Sequence, residues 1–160
     1  MRTKIFVSYN PGVEIEQSTA LRLQTLSSLY GATIYLPDRL GTNVLKETTK
    51  QKIADSQIFV MFSTQQLTKN VQEEVNYALQ LAKRVIIFYD ARIGKNLTTM
   101  QNPNLIETTF DPFAEDAASI LKKAMDLGGF QDSSNGSGNS NSGLSAVVGI
   151  GLGLFLLGLN

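Results

Sequence analysis

The sequence predicts an α/β fold built on a five-stranded parallel sheet. Two observations carry this. Short apolar runs alternate with longer stretches of helical periodicity over residues 1 to 127. Most of those runs are continuously apolar, as strands covered by helices on both faces are.

The first strand is "KIFVSY" (4–9). Residues 14 to 30 follow with helical spacing, which places Ile15, Leu21, Leu26 and Leu29 on one face. "ATIYL" (32–36) is the second strand, and "NVLKETTKQKIAD" (43–55) a helix of weaker propensity. "QIFVMF" (57–62) is the third strand. A helix over 69 to 83 comes next, and "RVIIFY" (84–89) is the fourth strand. "NLIETTF" (104–110) is a weaker fifth. In "DPFAEDAASILKKAMDLGG", Asp111 suits an N-cap, Pro112 the first helical position and Gly128 a stop. Five strands alternating with helices suit a flavodoxin-like order, 2-1-3-4-5, with helices on both faces.

Two further segments follow. Residues 128 to 143, "GGFQDSSNGSGNSNSG", are too poor in apolar side chains to pack and read as a flexible linker. Residues 144 to 159, "LSAVVGIGLGLFLLGL", carry no charge and read as a hydrophobic C-terminal helix at the short limit for a membrane span. The expectation is a cytoplasmic domain tethered to the inner or another cytosol-facing membrane by this transmembrane tail.

Composition excludes several chemistries. Fourteen basic residues balance fourteen acidic ones, with no basic run to attract nucleic acid. There is no cysteine and no histidine, so thiolate chemistry and the usual metal ligands are missing. No metal site is expected. Catalysis would fall to carboxylates, hydroxyls, lysines or backbone dipoles.

Ligands of such sheets bind beyond the carboxyl ends of the strands. The residues there are Tyr9 and Asn10, Pro37 to Gly41, Ser63 and Thr64, and Asp90. "SYNPGVEIEQS" is not a P-loop, and "MFST" at the third strand's end supplies no phospho-acceptor Asp. On the helix over 69 to 83, Val71, Val75, Ala78, Leu79 and Ala82 form an apolar stripe. Glu74 lies at its edge and Glu73 opposite. By geometry alone Glu74 reads as an ordinary helix-edge carboxylate.

"KIFVSYN", "YLPDRLGTNVLKETTKQKIADSQIFVMFS" and "EEVNYA" together resemble a prokaryotic-type TIR (Toll/interleukin-1 receptor) domain over nearly all of residues 1 to 126. Ile53, Ser56 and Ser63 fall in that family's places, as do Glu74, Val75 and Ala78. Two departures stand out. Val71-Gln72 replaces a frequent Trp-Cys, and the loop between Ser63 and Glu74 is one residue short.

The resemblance implies an NAD+ glycohydrolase (NADase) with Glu74 as its catalytic carboxylate. NAD+ is then substrate, and no cofactor is needed. Substrate contacts would come from Tyr9, Asn10, Asp38, Arg39 and Ser63. Self-association would use the BB loop, Pro37, Asp38, Arg39, Leu40 and Gly41. Such a protein, oligomerised on a membrane, would hydrolyse or cyclise NAD+ in antiviral defence or cell-death signalling. One alternative is a non-catalytic TIR scaffold whose tail acts on the membrane. The other is a nucleoside 2-deoxyribosyltransferase-like N-glycosidase. "YGATIYLPDR" is a passable match to that family's second strand, and "ADSQIFV" a poor match to its Asp-rich block.

Overall fold

The computed structural model describes residues 2–39, 45–65, 67–93 and 102–129. The linker beyond Gly129, the hydrophobic tail, and Leu40 and Gly41 of the expected self-association loop lie outside the described residues. No described helix is long and apolar enough to cross a membrane.

Among the described residues, five strands and four helices alternate: β1 (Thr3–Ser8), α1 (Glu14–Leu26), β2 (Ala32–Tyr35), α2 (Glu47–Asp55), β3 (Ile58–Ser63), α3 (Lys69–Gln80), β4 (Arg84–Asp90), β5 (Leu105–Phe110) and α4 (Ala117–Leu127). A short 3-10 turn, Ser27–Tyr30, closes the first helix. All strand pairs are parallel and the order is β2-β1-β3-β4-β5, as the alternation of elements requires.

The period of two sorts the strand residues onto two cores. Ile5, Val7, Val60, Phe62 and Phe88 face one way and pack with Ala20 and Leu23 of α1 and Ile120 and Leu121 of α4. Phe6, Phe59, Met61 and Ile87 face the other way and pack with Ile53 of α2 and Val71, Val75 and Ala78 of α3. Rings reinforce both layers. Phe62, Phe88 and Phe110 cluster on the first face, and Phe6 stacks on Phe59 at 5.3 Å on the second.

Three expectations about helices are corrected. The buried face of α1 is Glu16, Thr19, Ala20 and Leu23, while Leu21 and Leu29 are largely exposed. Leu26 packs against the core and Ile15 is half-buried, so the expected face is rotated toward Thr19, Ala20 and Leu23. Helix α4 starts at Ala117, not at Pro112. Asp111 accepts from Phe113 N and Ala114 N in a turn, and Asp116 is the N-cap, accepting from Ser119 N at 2.7 Å. Gly128 does follow the end of the helix, as its C-cap. A Cβ there would run into the Ile58 side chain of β3.

The third correction concerns α3. It ends at Gln80, and Ala82 leaves the helix with φ 56° and is exposed. The buried stripe is Val71, Glu74, Val75 and Ala78. Glu74 is therefore inside the apolar face and not beside it.

Candidate active site

Strand β1 ends where the sheet order reverses, between β1 and β3, the usual ligand crevice of such sheets. Ser8 follows Phe6 by two residues, so its side chain faces α3 as Phe6 does. Glu74, on the second turn of α3, meets it there. Ser8 Oγ donates to Glu74 Oε1 at 2.6 Å, and Glu74 is 1% exposed. A carboxylate this deep needs a countercharge or full hydrogen bonding.

Arg39 supplies both. Its Nε donates to Glu74 Oε2 at 3.1 Å and its Nη2 to Oε1 at 2.7 Å, the two-pronged geometry that a guanidinium offers a carboxylate. Its Nη1 donates to Tyr9 O at 2.5 Å, and its Cζ lies 5.1 Å from the Tyr9 ring centre. Asp38 fixes the base of this loop. Its backbone N and O both bond the Thr49 hydroxyl, and its carboxylate takes bonds from Lys46 and Thr48. Pro37, half-buried, precedes it.

A cleft of about 200 Å³, open mouth included, lies over the pair. Arg39, Lys46, Asn70, Glu73 and Glu74 are among its lining residues. Glu73 thus shares the cleft and is not the outward bystander that helical angles suggest. It is partly buried, with Lys69 Nζ at 3.8 Å. With Arg39 paired to Glu74, the cleft is shallow and open to solvent.

The structure brings Tyr9, Asp38, Arg39 and Glu74 together. Ser63 is a neighbour on the same sheet face as Ser8, two residues beyond the level of Ser8 on β3. It is 1% exposed and its Oγ has no hydrogen-bond partner among the described residues. Ser63 therefore does not cap α3 and keeps a free hydroxyl at the strand end. Asn10 differs from the expectation of a substrate contact. It is buried with its amide engaged at both ends, donating to Glu16 and accepting from Thr68 N. Asp90, at the end of β4, is occupied by Arg92, whose Nη2 donates to Asp90 Oδ2 at 2.7 Å. The Arg92 hydrogen bond is the main reason the Asp90 carboxyl sits below its ordinary value. No group of three or more acidic side chains among the described residues is arranged to hold a metal ion.

Two buried polar residues, Ser8 and Glu16, are not singled out by the sequence. Ser8 reads simply as the end of a strand. Glu16 reads as a first-turn acid complementing the helix dipole. Its spacing from Ala20 and Leu23 is the available signal, since i, i+4 and i+7 share a face.

No family model and no curated protein matches the sequence. Among solved structures, a CMP N-glycosidase of Clostridium botulinum aligns with a TM-score of 0.50 and 13% identity, covering 76% of this chain and 97% of its own. The likeness is one of fold. A diflavin flavoprotein A3 from Nostoc sp. aligns at a TM-score of 0.42 and 15% identity, covering 98% of this chain and 95% of its own.

Proposed function

We propose that this chain cleaves the N-glycosidic bond of a nucleotide, with Glu74 as the catalytic carboxylate. The observation that carries the reading is the burial of Glu74 at the switch point of the sheet, held by Ser8 and by a loop arginine. Breaking a base–ribose bond builds positive charge at the anomeric carbon. A fixed carboxylate on one face of the sugar stabilises that charge or attacks it, and water then completes the hydrolysis. The sheet shared with a CMP N-glycosidase supports the same reaction class.

Arg39 then selects for phosphorylated substrates. A substrate phosphate competes with Glu74 for the guanidinium, draws Arg39 away and opens the carboxylate to the sugar. The unpartnered Ser63 hydroxyl is available for a ribose hydroxyl. Two substrates fit this scheme. NAD+, suggested by the TIR resemblance, releases neutral nicotinamide and needs no acid. A pyrimidine nucleotide such as CMP needs its departing base protonated, and Glu73, lining the same cleft, is the group at hand. Membrane attachment through residues 144–159 belongs to the same proposal and rests on their uncharged sequence.

The test is a substrate panel. NAD+, CMP and cytidine are incubated with concentrated protein and free base is measured. We expect release from a phosphorylated substrate and little from cytidine. With Arg39→Ala the preference for phosphate should shrink. Glu73→Gln should slow CMP cleavage and spare NAD+. Equal cleavage of cytidine would overturn the role of Arg39. No release from any of the three would favour the scaffold alternative.

A further inference from the structure

A second glutamate is as deeply buried as Glu74 and lies outside the cleft. Glu16, on the first turn of α1, is 1% exposed. Its Oε1 accepts from Asn10 N at 2.8 Å and from Asn10 Nδ2 at 3.2 Å. Its Oε2 accepts from Asn10 Nδ2 at 3.1 Å, Thr64 N at 3.1 Å and Thr64 Oγ1 at 2.5 Å. These donors are all neutral, and they come from two different chain segments. One is the exit of β1, the other the exit of β3.

Both segments lead to Glu74. Asn10 lies two residues beyond Ser8, which donates to Glu74, and next to Tyr9, whose carbonyl anchors Arg39. With its amide nitrogen held by Glu16, Asn10 turns its Oδ1 to Thr68 N at 2.9 Å, at the N-cap of α3. The Thr68 side chain makes no capping hydrogen bond, so Asn10 steadies the helix start from the exit of β1. Glu16 thus ties α1, the β1 exit and the start of α3 to one another.

We infer that Glu16 is a positioning residue for Glu74, acting through Asn10 and Thr64. The inference rests on Glu74 being the working carboxylate, but the coupling of Glu16 to α3 can be read without any reaction. A carboxylate is required because each of these partners is a donor. An amide at this position turns an N–H₂ toward Thr64 or Asn10 and leaves one of them unpaired.

The test uses the full chain with Glu16→Gln, and with Thr64→Val beside Thr64→Ser. In hydrogen exchange, Glu16→Gln should speed the amides of residues 67–74 by about tenfold and leave those of α4 unchanged. In turnover of whichever nucleotide is cleaved, kcat should fall about 10- to 100-fold with KM within about twofold, as expected for a misplaced catalytic group. Thr64→Ser, which keeps the hydroxyl, should behave as wild type, and Thr64→Val should lose part of kcat. In a Glu74→Ala background, Glu16→Gln should have no further effect on residual turnover. If Glu16→Gln only lowers the melting temperature, leaving kcat and exchange at 67–74 unchanged, the inference is overturned. If Glu16→Gln does not fold, the Thr64 pair decides in the same way. If wild type cleaves nothing, the proposed function fails, while exchange at 67–74 still decides whether Glu16 holds α3.

Discussion

Arg39 and Glu74 form an ion pair whose partners are unequally placed. Glu74 sits in the apolar stripe of α3, whereas Arg39 comes from a loop and keeps some access to water. Removing Arg39 leaves a buried charge without compensation, which costs more than losing the pair itself. Arg39→Met should lower stability by about 3 kcal/mol, and the double variant with Glu74→Gln should recover most of it. Urea unfolding of the two singles and the double checks this, and purely additive effects would contradict it. Asp90 supplies a pH dependence. Its carboxyl is held below the ordinary 3.8, chiefly by the Arg92 hydrogen bond, so the contribution is present above that value and is lost as pH falls through the lower folded value. Arg92→Ala should therefore cost stability at pH 7 and progressively less below pH 3.8. Thermal melts that show the same gap at pH 7 and well below pH 3.8 would contradict this. At this scale the sequence is partly readable. Helical spacing brings Glu74 only to the edge of the apolar stripe, and the family resemblance is what singles it out. Its pairing with Arg39, 35 residues away, depends on how a loop crosses the sheet edge, and no local pattern carries that.

Elements are legible in kind and less so in extent. All five strands can be read, most plainly β1, β3 and β4, where a short, continuously apolar run between turn residues suits a buried strand and is too brief for a helix. Helix ends are harder, because two good caps stand close together before α4. Asp111 with Pro112 makes an attractive start, but Asp111 uses its carboxylate in a turn and Asp116 caps the helix. Asp116 also sits below the ordinary carboxyl value because the Ser119 amide bonds its charged form. Asp116→Ala should therefore reduce helicity and melting temperature more than Asp111→Ala, with its effect fading in acid. Circular dichroism melts of both variants at pH 7 check the ranking, and a larger effect of Asp111→Ala would reverse the assignment. The face of α1 misleads for a related reason. Apolar size is a poor guide where small residues face the sheet, and the polar Glu16 is inside because its partners are there too.

For the whole molecule, the fold and the place of the site share one cause. Parallel strands with alternating helices bring every loop of one kind to one edge, and the reversal between β1 and β3 leaves a crevice there. Into that crevice the chain sends a serine from β1, an arginine from the loop after β2 and a glutamate from α3. The architecture is legible because it follows from the order of elements alone. The pairing inside the site is not, since it depends on Arg39 choosing Glu74 over solvent. The proposed reaction hangs on that one carboxylate, and one measurement bears on it most directly. Free base released from NAD+ and from CMP is quantified by chromatography for wild type, Glu74→Gln and a control, Asp55→Asn, at the C-terminal end of α2. We expect release by wild type and by Asp55→Asn, and a loss of at least about 100-fold in Glu74→Gln, the scale of removing one transition-state stabiliser. Undiminished release by Glu74→Gln would contradict the role of the carboxylate.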